Sequence, residues 1–374
     1  MVMPRGIGSG PDVFVAGGGP AGCAAALSLL RVGRSVLLLE GDTKSGHRTG
    51  EILPPRARPV LEGLGLLERF QVQQHMPAPA MRCRWGTDLT HEVDLTFHPY
   101  GSGWHLDRRA FDSMLLDAVR AHGGRVLRGA SVRGLGWQSG CWQVQSTGPG
   151  SPSSVCAPVV IDATGRTRSV SRRLGARRLL VDSLVGLVGI GETAFVPSAV
   201  QVVTLIEADE AGWWYAGRLP GGRVVAALMT DADLIPRGYE RLRTFWRARL
   251  GRTVLVSRQW GLVAGPASLR VVAAGTGRLA ELAGPGWLAI GDAAMTFDPL
   301  SGQGICAALE SGARSGLVAD RMLSGEAQAH REHSSTAEAT FRDHLHGRTH
   351  YYRQEKRFNT AFWLRRQQRC PLGQ

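Results

Sequence analysis

The N-terminal part of the chain alternates short apolar runs with a helix-like segment of small residues. Residues 12–16 and 35–39 are almost continuously apolar, as strands are in a parallel sheet that is covered on both faces. Residues 20–31 between them have a helical composition, with Pro20 in the first turn and Gly33 just beyond the end. This pattern predicts a β-α-β unit.

Beyond this unit, helical periodicity alternates with strand-like runs. Helices are predicted at 59–70, 108–122, 239–250 and 306–323. Strands are predicted at 125–127, near 132, at 142–144, 159–162, 184–190, 200–207, 213–219, 224–229 and 254–262, with short alternating segments within 80–106. The strands between 184 and 229 follow one another closely, which favours an antiparallel sheet.

The composition is that of an ordinary globular protein. Of the 374 residues, 43% are hydrophobic and 20% are charged. No apolar run reaches the roughly 18 residues of a membrane span, and the glycine-rich residues 1–10 argue against a secretory signal. The six cysteines form no C-x-x-C pair, so we expect reduced thiols in a cytoplasmic protein.

The net charge of +13 first suggests nucleic-acid binding. Lys44 and Lys356 are the lysines of the chain, and the remaining basic residues are arginines spread along its whole length. This skew fits a GC-rich genome as well as it fits anion binding. We therefore expect no nucleic-acid partner, and infer a mild preference for an acidic one.

The turn between the first strand and the first helix matches G-x-G-x-x-G. Gly17 permits the tight turn, Gly19 lets the backbone approach a pyrophosphate, and Gly22 allows close helix–sheet packing. Glu40, at the end of the second strand, is placed to accept hydrogen bonds from an adenosine ribose and disfavours a 2′-phosphate. The predicted dinucleotide contacts here are Gly17, Gly19, Pro20, Ala21, Gly22 and Glu40.

Three later segments decide between NAD and FAD by resemblance. Residues 107–112 (DRRAFD), 160–166 (VIDATGR) and 291–305 (GDAAMTFDPLSGQGI) resemble motifs of the p-hydroxybenzoate-hydroxylase-like FAD-dependent monooxygenases, the group that is related to tryptophan halogenases. The resemblance implies that Asp292 binds the ribityl chain, and that the helix start at 302–304 points at the flavin N1 edge, where its dipole stabilises reduced flavin. The implied FAD contacts are Arg108, Asp162, Gly165, Asp292, Pro299, Gly302, Gln303 and Gly304.

Residues 46–55 resemble the strap that crosses the flavin in flavin-dependent halogenases and their hydroxylase relatives, which adds Arg48, Gly50 and Glu51 to the FAD contacts. Halogenases depend on a lysine beyond the strap, but no lysine lies between Lys44 and Lys356. Their W-x-W-x-I-P signature is also absent, and the halide-binding turn is replaced by 301–304. The resemblance therefore implies a monooxygenase that acts through a flavin C4a-hydroperoxide.

Among the branches of this group, the chain is most similar to flavoproteins that mature tryptophylquinone cofactors. The similarity rests on the strap, on residues 103–108, on the Trp213-Trp214 strand and on residues 351–357. It implies hydroxylation of an aromatic, indole- or tryptophan-type substrate, either a small molecule or a tryptophan of a partner protein. Two alternatives stay open: a hydroxylase or halogenase-like tailoring enzyme of small-molecule biosynthesis, and an FAD-dependent reductase of the geranylgeranyl-reductase type. A flavin-binding scaffold without turnover is the remaining possibility.

The active-site candidates follow from this resemblance. Glu51 and His105 are candidates for proton transfer near the flavin, and Trp85, Trp213, Trp214 and Tyr215 either line an aromatic pocket or fill the sheet–flavin interface. The histidines of the tail, residues 324–374, are expected on a solvated helix face, and no metal is predicted. Electrons would come from NAD(P)H or from a separate flavin reductase.

The predicted fold class is α/β, or α+β in two lobes. A discontinuous, Rossmann-like FAD-binding lobe comprises 10–79, 107–175 and 276–323. An antiparallel β-sheet lobe for the substrate comprises 80–106 and 176–275, and a helical tail comprises 324–374.

Overall fold

The computed structural model describes residues 10–41, 51–192, 202–261 and 266–368, without the side chains of 266 and 267. Its α-helices are α1 (Pro20–Arg31), α2 (Ala57–Gly63), α3 (Leu67–Val72), α4 (Arg108–Ala121), α5 (Tyr239–Leu250), α6 (Leu255–Trp260), α7 (Gly304–Leu323), α8 (Ala329–Gln354) and α9 (Ala361–Gln367). The predicted helix at 59–70 is two helices, because the chain turns at Gly65 with a φ of +63°.

The strands form five sheets. They are β1 (Val13–Ala16), β2 (Val36–Glu40), β3 (Ile52–Leu53), β4 (Met76–Ala78), β5 (Ala80–Arg84), β6 (His91–Asp94), β7 (Gly103–His105), β8 (Arg125–Arg128), β9 (Ser131–Gln138), β10 (Cys141–Thr147), β11 (Ser154–Ala157), β12 (Val159–Asp162), β13 (Arg178–Leu180), β14 (Leu184–Glu192), β15 (Val203–Asp209), β16 (Gly212–Leu219), β17 (Arg223–Asp231), β18 (Pro266–Ala273), β19 (Gly277–Leu279), β20 (Ala283–Gly284), β21 (Trp287–Ala289) and β22 (Met295–Thr296).

A six-stranded sheet carries the predicted β-α-β unit. Its order is β20-β21-β12-β1-β2-β8, and every pair is parallel except β20 with β21. Helices α1, α4 and α7 pack together in one large apolar core with the strands, and α1 contacts α7 through small residues such as Ala21 and Gly312. Strands β1, β12 and β21 come from three distant parts of the chain. Because they are parallel, their carboxyl ends lie at the same edge of the sheet, which is where open α/β sheets bind ligands.

A seven-stranded sheet has the order β18-β14-β17-β16-β15-β5-β6. The mixed α/β class is thus confirmed, but the larger sheet is not purely antiparallel, because β15 and β5 pair in parallel. One face of this sheet packs against α5 and α6, and the other packs against aromatic residues of α8 and α9. The C-terminal segment therefore forms part of the core.

The prediction of a strand at 254–262 is wrong, because residues 255–260 form helix α6. The carboxylate of Glu207, on β15, accepts hydrogen bonds from the backbone N–H groups of Val254, Leu255 and Val256 at 2.7, 2.8 and 3.2 Å. It thus satisfies the free donors of the first helical turn. This cap comes from a residue almost fifty positions earlier, so the local apolar run does not reveal it.

The expectation of reduced thiols is also wrong in part, because Cys141 on β10 and Cys156 on β11 form a disulfide. They lie on paired antiparallel strands, which brings their Cα atoms to 5.8 Å. Closing a loop of 15 residues stabilises the fold by about 3 kcal/mol.

We predict that thiol titration of the unfolded protein finds two thiols fewer than its six cysteines. Reductant should lower the free energy of unfolding by about 3 kcal/mol. Six reactive thiols would contradict this.

Candidate flavin and substrate site

The glycine turn after β1 has the packing that the motif predicts. Gly17 has a φ of +108°, and a Cβ there would lie 2.2 Å from the carbonyl oxygen of Ala163, just after β12. A Cβ on Gly22 would lie 1.9 Å from the Gly17 carbonyl oxygen. These two positions therefore accept only glycine, and they bring the start of α1 against the end of the sheet.

Gly19 differs from its neighbours because it faces open space. It is the N-cap of α1, with φ −75° and ψ −176°, and a Cβ built on it would meet no atom within 4 Å. Gly302 and Gly304, at the start of α7, face open space in the same way. The first backbone N–H groups of α1, which have no partner within the helix, thus lie beside open space, and this fits the pyrophosphate of a dinucleotide.

Glu40 ends β2 beside this turn and is buried. Its Oε2 accepts a hydrogen bond from the backbone N–H of Gly18 at 2.8 Å. The carboxylate therefore braces the glycine turn, and its contact with a ribose stays a prediction.

Arg108 and Asp292 lie close enough together for the charge of Arg108 to act on Asp292, and a Cβ on Gly291, just before Asp292, would lie 2.8 Å from Ala21 Cβ at the start of α1. Arg108 is the first residue of α4 and forms an ion pair with Asp112 at 3.2 Å, while Asp107 caps the helix through the N–H groups of Arg109 and Ala110. Asp292 follows β21, leaves 43% of its side chain exposed, and lies 3.4 Å from the guanidinium of Arg166. Arg166, Arg108 and Arg168 all oppose the rise that burial imposes on the pKa of Asp292. The site thus combines a hydrogen-bond acceptor, the Asp292 carboxylate, with several arginine side chains. A polyol such as the ribityl chain requires the acceptor, and a neighbouring pyrophosphate requires the positive charges.

Asp162 does not serve as predicted. It is fully buried at the end of β12, where Oδ1 accepts from the N–H and hydroxyl of Thr164 at 3.0 and 2.6 Å. Its Oδ2 accepts from the N–H and hydroxyl of Ser171 at 2.7 and 2.6 Å. With four donors on its two oxygens, the carboxylate holds the turn around Gly165 and is not available to a cofactor.

A short turn precedes helix α7. Residues 299–301 make a single 3₁₀ turn that begins at Pro299, Gly302 follows in the left-handed conformation with a φ of +61°, and Gln303 is the N-cap of α7. Helix α7 therefore begins at Gly304, and the contact of this helix start with the flavin N1 edge stays a prediction.

The strap residues Arg48 and Gly50 lie outside the described residues. The described end of the strap, Glu51 to Leu53, runs antiparallel to β7, with Ile52 opposite His105. Glu51 is buried, and its carbonyl oxygen accepts a hydrogen bond from the N–H of Leu106 at 2.7 Å. The two predicted proton-transfer residues are thus neighbours.

His105 reaches from β7 to the large sheet. It is completely buried, and its Nε2 lies 2.8 Å from the hydroxyl of Thr204 on β15. A Cβ on Gly217 would lie 3.1 Å from His105 Cε1 and 3.2 Å from the hydroxyl of Tyr215, so both side chains converge on one point of β16. Within the described residues, His105 Nδ1 and the Tyr215 hydroxyl have no hydrogen-bond partner. Such buried polar atoms call for a ligand or water.

The four aromatic pocket candidates do not lie together. Neighbouring residues of a strand face opposite sides, so Trp214 points away from the face that Trp213 and Tyr215 share. It points to the face that α5 and α6 cover, where it packs on Trp246. Trp213 and Trp85 pack edge to face with each other, and Trp85 also packs edge to face with Tyr352 of α8 and Trp363 of α9. The structure brings only Tyr215 beside His105, and the pocket prediction is wrong for Trp214.

Buried histidines make stability depend on pH. Burial lowers the pKa of His105 and of His344 to about 4, although nearby carboxylates, Glu51 and Asp298, oppose the shift. The unfolded chain, with histidine pKa values near 6.5, takes up these protons first. Stability is therefore full above about pH 6.5 and falls towards pH 4, by up to about 1.4 kcal/mol per pH unit for each histidine. Urea unfolding between pH 7.5 and 5 should show this slope, and a slope of zero would contradict it.

The solvated histidine face predicted for the tail is present only in part, because His346 and His350 are exposed whereas His333 and His344 have partners inside the protein. His333 is buried, with Nε2 3.0 Å from the Ala289 carbonyl oxygen, and His344 Nε2 accepts from the N–H of Asp298 at 3.1 Å. Among the described residues, no group of three metal-ligating side chains is placed to hold an ion. None of the described helices is both long and apolar enough to cross a membrane.

Known proteins resemble the chain over nearly its whole length. A profile of the FAD dependent oxidoreductase family matches residues 12–172. The putative FAD-dependent oxidoreductase LodB of Marinomonas mediterranea is 31% identical over 364 residues, covering 95% of this chain and 96% of that protein. The menaquinone reductase of Mycobacterium tuberculosis is 30% identical over 318 residues, covering 80% of this chain and 74% of that protein.

Two solved structures have the same fold. The peptidyl tryptophan dihydroxylase QhpG, essential for tryptophylquinone cofactor biogenesis, superposes with a TM-score of 0.80 at 26% identity, covering 96% of this chain and 79% of that one. The myxobacterial chondrochloren halogenase CndH superposes with a TM-score of 0.86 at 22% identity, covering 96% of this chain and 86% of that one. The likeness to the halogenase concerns the fold alone.

Proposed function

We propose that this chain, which belongs to the FAD-dependent oxidoreductase family, is a monooxygenase that adds oxygen to the indole ring of a tryptophan in a partner protein. One observation carries the proposal: the buried group of Glu51, His105 and Tyr215, which places two unpartnered polar atoms where the strap meets the large sheet. The similarity to QhpG, which acts on a peptidyl tryptophan, supports the substrate class.

Bound FAD would supply the activation of O₂, and the protein would supply position and proton transfer. Arg108, Asp292 and the two helix starts would hold the pyrophosphate, the ribityl chain and the flavin edge. His105 is neutral at pH 7 because burial keeps its pKa at about 4. Thr204 decides which ring nitrogen carries the proton: if its hydroxyl donates to Nε2, then Nδ1 carries a hydrogen and can donate it to the substrate.

Burial also affects the protonation of the Tyr215 hydroxyl. Burial raises the pKa of its hydroxyl well above the usual value, and the neighbouring Glu51 raises it further. The phenol therefore stays protonated and can serve only as a neutral hydrogen-bond donor or acceptor. Neutral donors and acceptors such as His105 and Tyr215, buried beside the strap, suit an electron-rich aromatic substrate.

A reductase is the second candidate, and the 30% identity to a menaquinone reductase favours it. The two functions differ in their need for O₂. A reductase transfers hydrogen to an unsaturated substrate without O₂, whereas a monooxygenase consumes O₂ and leaves one of its atoms in the product. Halogenation is the less favoured reading, because the chain has no lysine between Lys44 and Lys356.

The test uses the FAD-loaded protein, reduced with dithionite so that the natural electron source is not needed. It is mixed with isotopically labelled O₂ and one of three substrates: free tryptophan, a tryptophan-containing peptide, or the precursor of a tryptophylquinone protein in which the quinone has not yet formed. We expect labelled oxygen on tryptophan of the precursor, detected by mass spectrometry of its peptides. Labelled free tryptophan alone would replace the protein substrate with a small molecule.

Parallel reactions separate the other functions. Added chloride or bromide that appears in the product would indicate a halogenase. Anaerobic saturation of a prenyl double bond of menaquinone would indicate a reductase, because dithionite and reduced flavin reduce the quinone ring without an enzyme. Oxidation of the flavin with no modified substrate in any reaction would contradict the proposal.

A further inference from the structure

Asp298 is the buried residue that immediately precedes the flavin-side turn Pro299–Ser301. Its side chain is 1% exposed, and its Oδ1 accepts from the N–H of Leu300 at 3.0 Å, which shapes the turn itself. Its Oδ2 accepts from Arg348 Nε at 3.1 Å and from the Tyr352 hydroxyl at 3.0 Å. The carboxylate thus joins the flavin-side turn to helix α8.

Three residues on one face of α8 bind Asp298. His344, Arg348 and Tyr352 stand four residues apart, so they lie above one another on the helix. His344 accepts the Asp298 N–H at 3.1 Å, and Arg348 also donates from Nη2 to Asp182 at 2.8 Å. Because Arg348 is 7% exposed and Asp298 is 1% exposed, each charge depends on the other for compensation.

The same tyrosine reaches the large sheet. Its hydroxyl accepts a hydrogen bond from Trp213 Nε1 at 2.9 Å. Trp213 lies on β16 two residues before Tyr215, so the two side chains share a face of the sheet. Hydrogen bonds therefore connect Asp298 to Tyr352 and Tyr352 to Trp213. Strand β16 continues from Trp213 to Tyr215, which lies beside His105.

We propose that His344, Arg348 and Tyr352 are positioning residues that set the flavin-side turn and lock it to the strand that carries Tyr215. The turn lies between β22 and α7, and it has to hold a fixed conformation for the α7 helix start to meet the flavin edge. Within 298–304, Asp298 accepts from the N–H of Leu300, and the Ser301 hydroxyl donates to the Asp298 carbonyl oxygen at 3.1 Å. Helix α8 adds a restraint from outside through Arg348 and Tyr352. This inference requires FAD binding and is independent of the substrate proposed above.

The first test variant is Tyr352→Phe, which keeps the ring but removes the hydroxyl that donates to Asp298 and accepts from Trp213. We expect FAD to bind about tenfold more weakly, the effect of one hydrogen bond to a charged group. At saturating FAD the visible absorption bands of the bound flavin should shift, because the helix start no longer meets its edge in the same place. A purely structural role of Tyr352 would leave the spectrum of the bound flavin unchanged.

The matched control is Tyr351→Phe, because Tyr351 is the adjacent residue of α8 and is 55% exposed. It should bind FAD with the affinity and spectrum of the parent protein. Arg348→Lys is the second test variant, since it keeps the charge but cannot reach both Asp182 and Asp298. It should show the same weaker binding and shifted spectrum.

Circular dichroism establishes that each variant is folded before FAD is added. If Tyr352→Phe does not fold, Arg348→Lys decides alone. Parental affinity and an unchanged flavin spectrum in a folded test variant would overturn the inference. FAD binding is measured without substrate, so a failure of the hydroxylation proposal does not alter the result.

Discussion

Replacing Gly19 with valine is expected to abolish FAD binding and to leave the fold intact. The Gly19 backbone, with φ −75° and ψ −176°, is in a region that any residue adopts, and its Cβ position meets no atom within 4 Å. The valine side chain would fill the space that we propose for the pyrophosphate at the N-terminus of α1. We expect the FAD dissociation constant to rise by at least about two orders of magnitude, because several charge-assisted hydrogen bonds are lost together.

The measurement is quenching of FAD fluorescence on titration with protein, together with thermal unfolding of the FAD-free variant. Gly136→Val is the matched control, since Gly136 lies on an exposed strand and its Cβ would also meet nothing within 4 Å. Gly22→Val, in contrast, should destabilise the fold itself, because its Cβ would lie 1.9 Å from the Gly17 carbonyl oxygen. Tight FAD binding by a folded Gly19→Val protein would place the pyrophosphate elsewhere.

The difference between Gly19 and Gly22 shows which parts of the site a sequence encodes locally. A glycine motif between a strand and a helix dictates its own turn, and β1, α1 and β2 form where the apolar pattern predicts them. The start of α7 follows from its own Gly-rich segment in the same way. Each of these features depends on residues within one β-α unit, so its chemistry can be recognised without knowing the rest of the fold.

The errors have different causes. Trp213, Trp214 and Tyr215 are consecutive in one strand, and alternation alone shows that they cannot share a face. That signal was available in the sequence. The engagement of Asp162 by Ser171 depends on how the chain returns after the turn, and the α6 cap depends on Glu207 from another strand. Such contacts between distant residues follow from the tertiary fold and leave no periodic pattern.

The tail, residues 324–374, shows the same limit of prediction from sequence. Its polar, histidine-rich sequence suggested a solvated helix, yet His344, Arg348 and Tyr352 meet a buried carboxylate. A polar residue looks alike in sequence whether its partner is water or a buried aspartate. The flavin-side turn was recognisable from residues 291–305, but the side chains that restrain it come from about fifty residues later.

Replacing His105 with glutamine is expected to uncouple oxygen consumption from product formation. Glutamine can keep a hydrogen bond to Thr204 on β15, but it has no ring nitrogen at the Nδ1 position, which is unpartnered in the described structure. Proton transfer by a positioned side chain contributes about 10²- to 10⁴-fold to a rate. We therefore expect product formation from the reduced, FAD-loaded variant to fall at least about a hundredfold.

The reaction of the reduced flavin with O₂ itself should change little, because His105 is not among the residues proposed to hold FAD. Electrons that no longer reach the substrate should then appear as hydrogen peroxide, which a peroxidase-coupled assay measures beside the labelled product. His333→Gln is the matched control, since His333 is also buried but bonds to the Ala289 carbonyl oxygen, away from β7 and β16. Unchanged yield of product per reduced flavin in His105→Gln would show that His105 only packs between the strap and the sheet, and would leave Glu51 and Tyr215 as the groups that handle the proton.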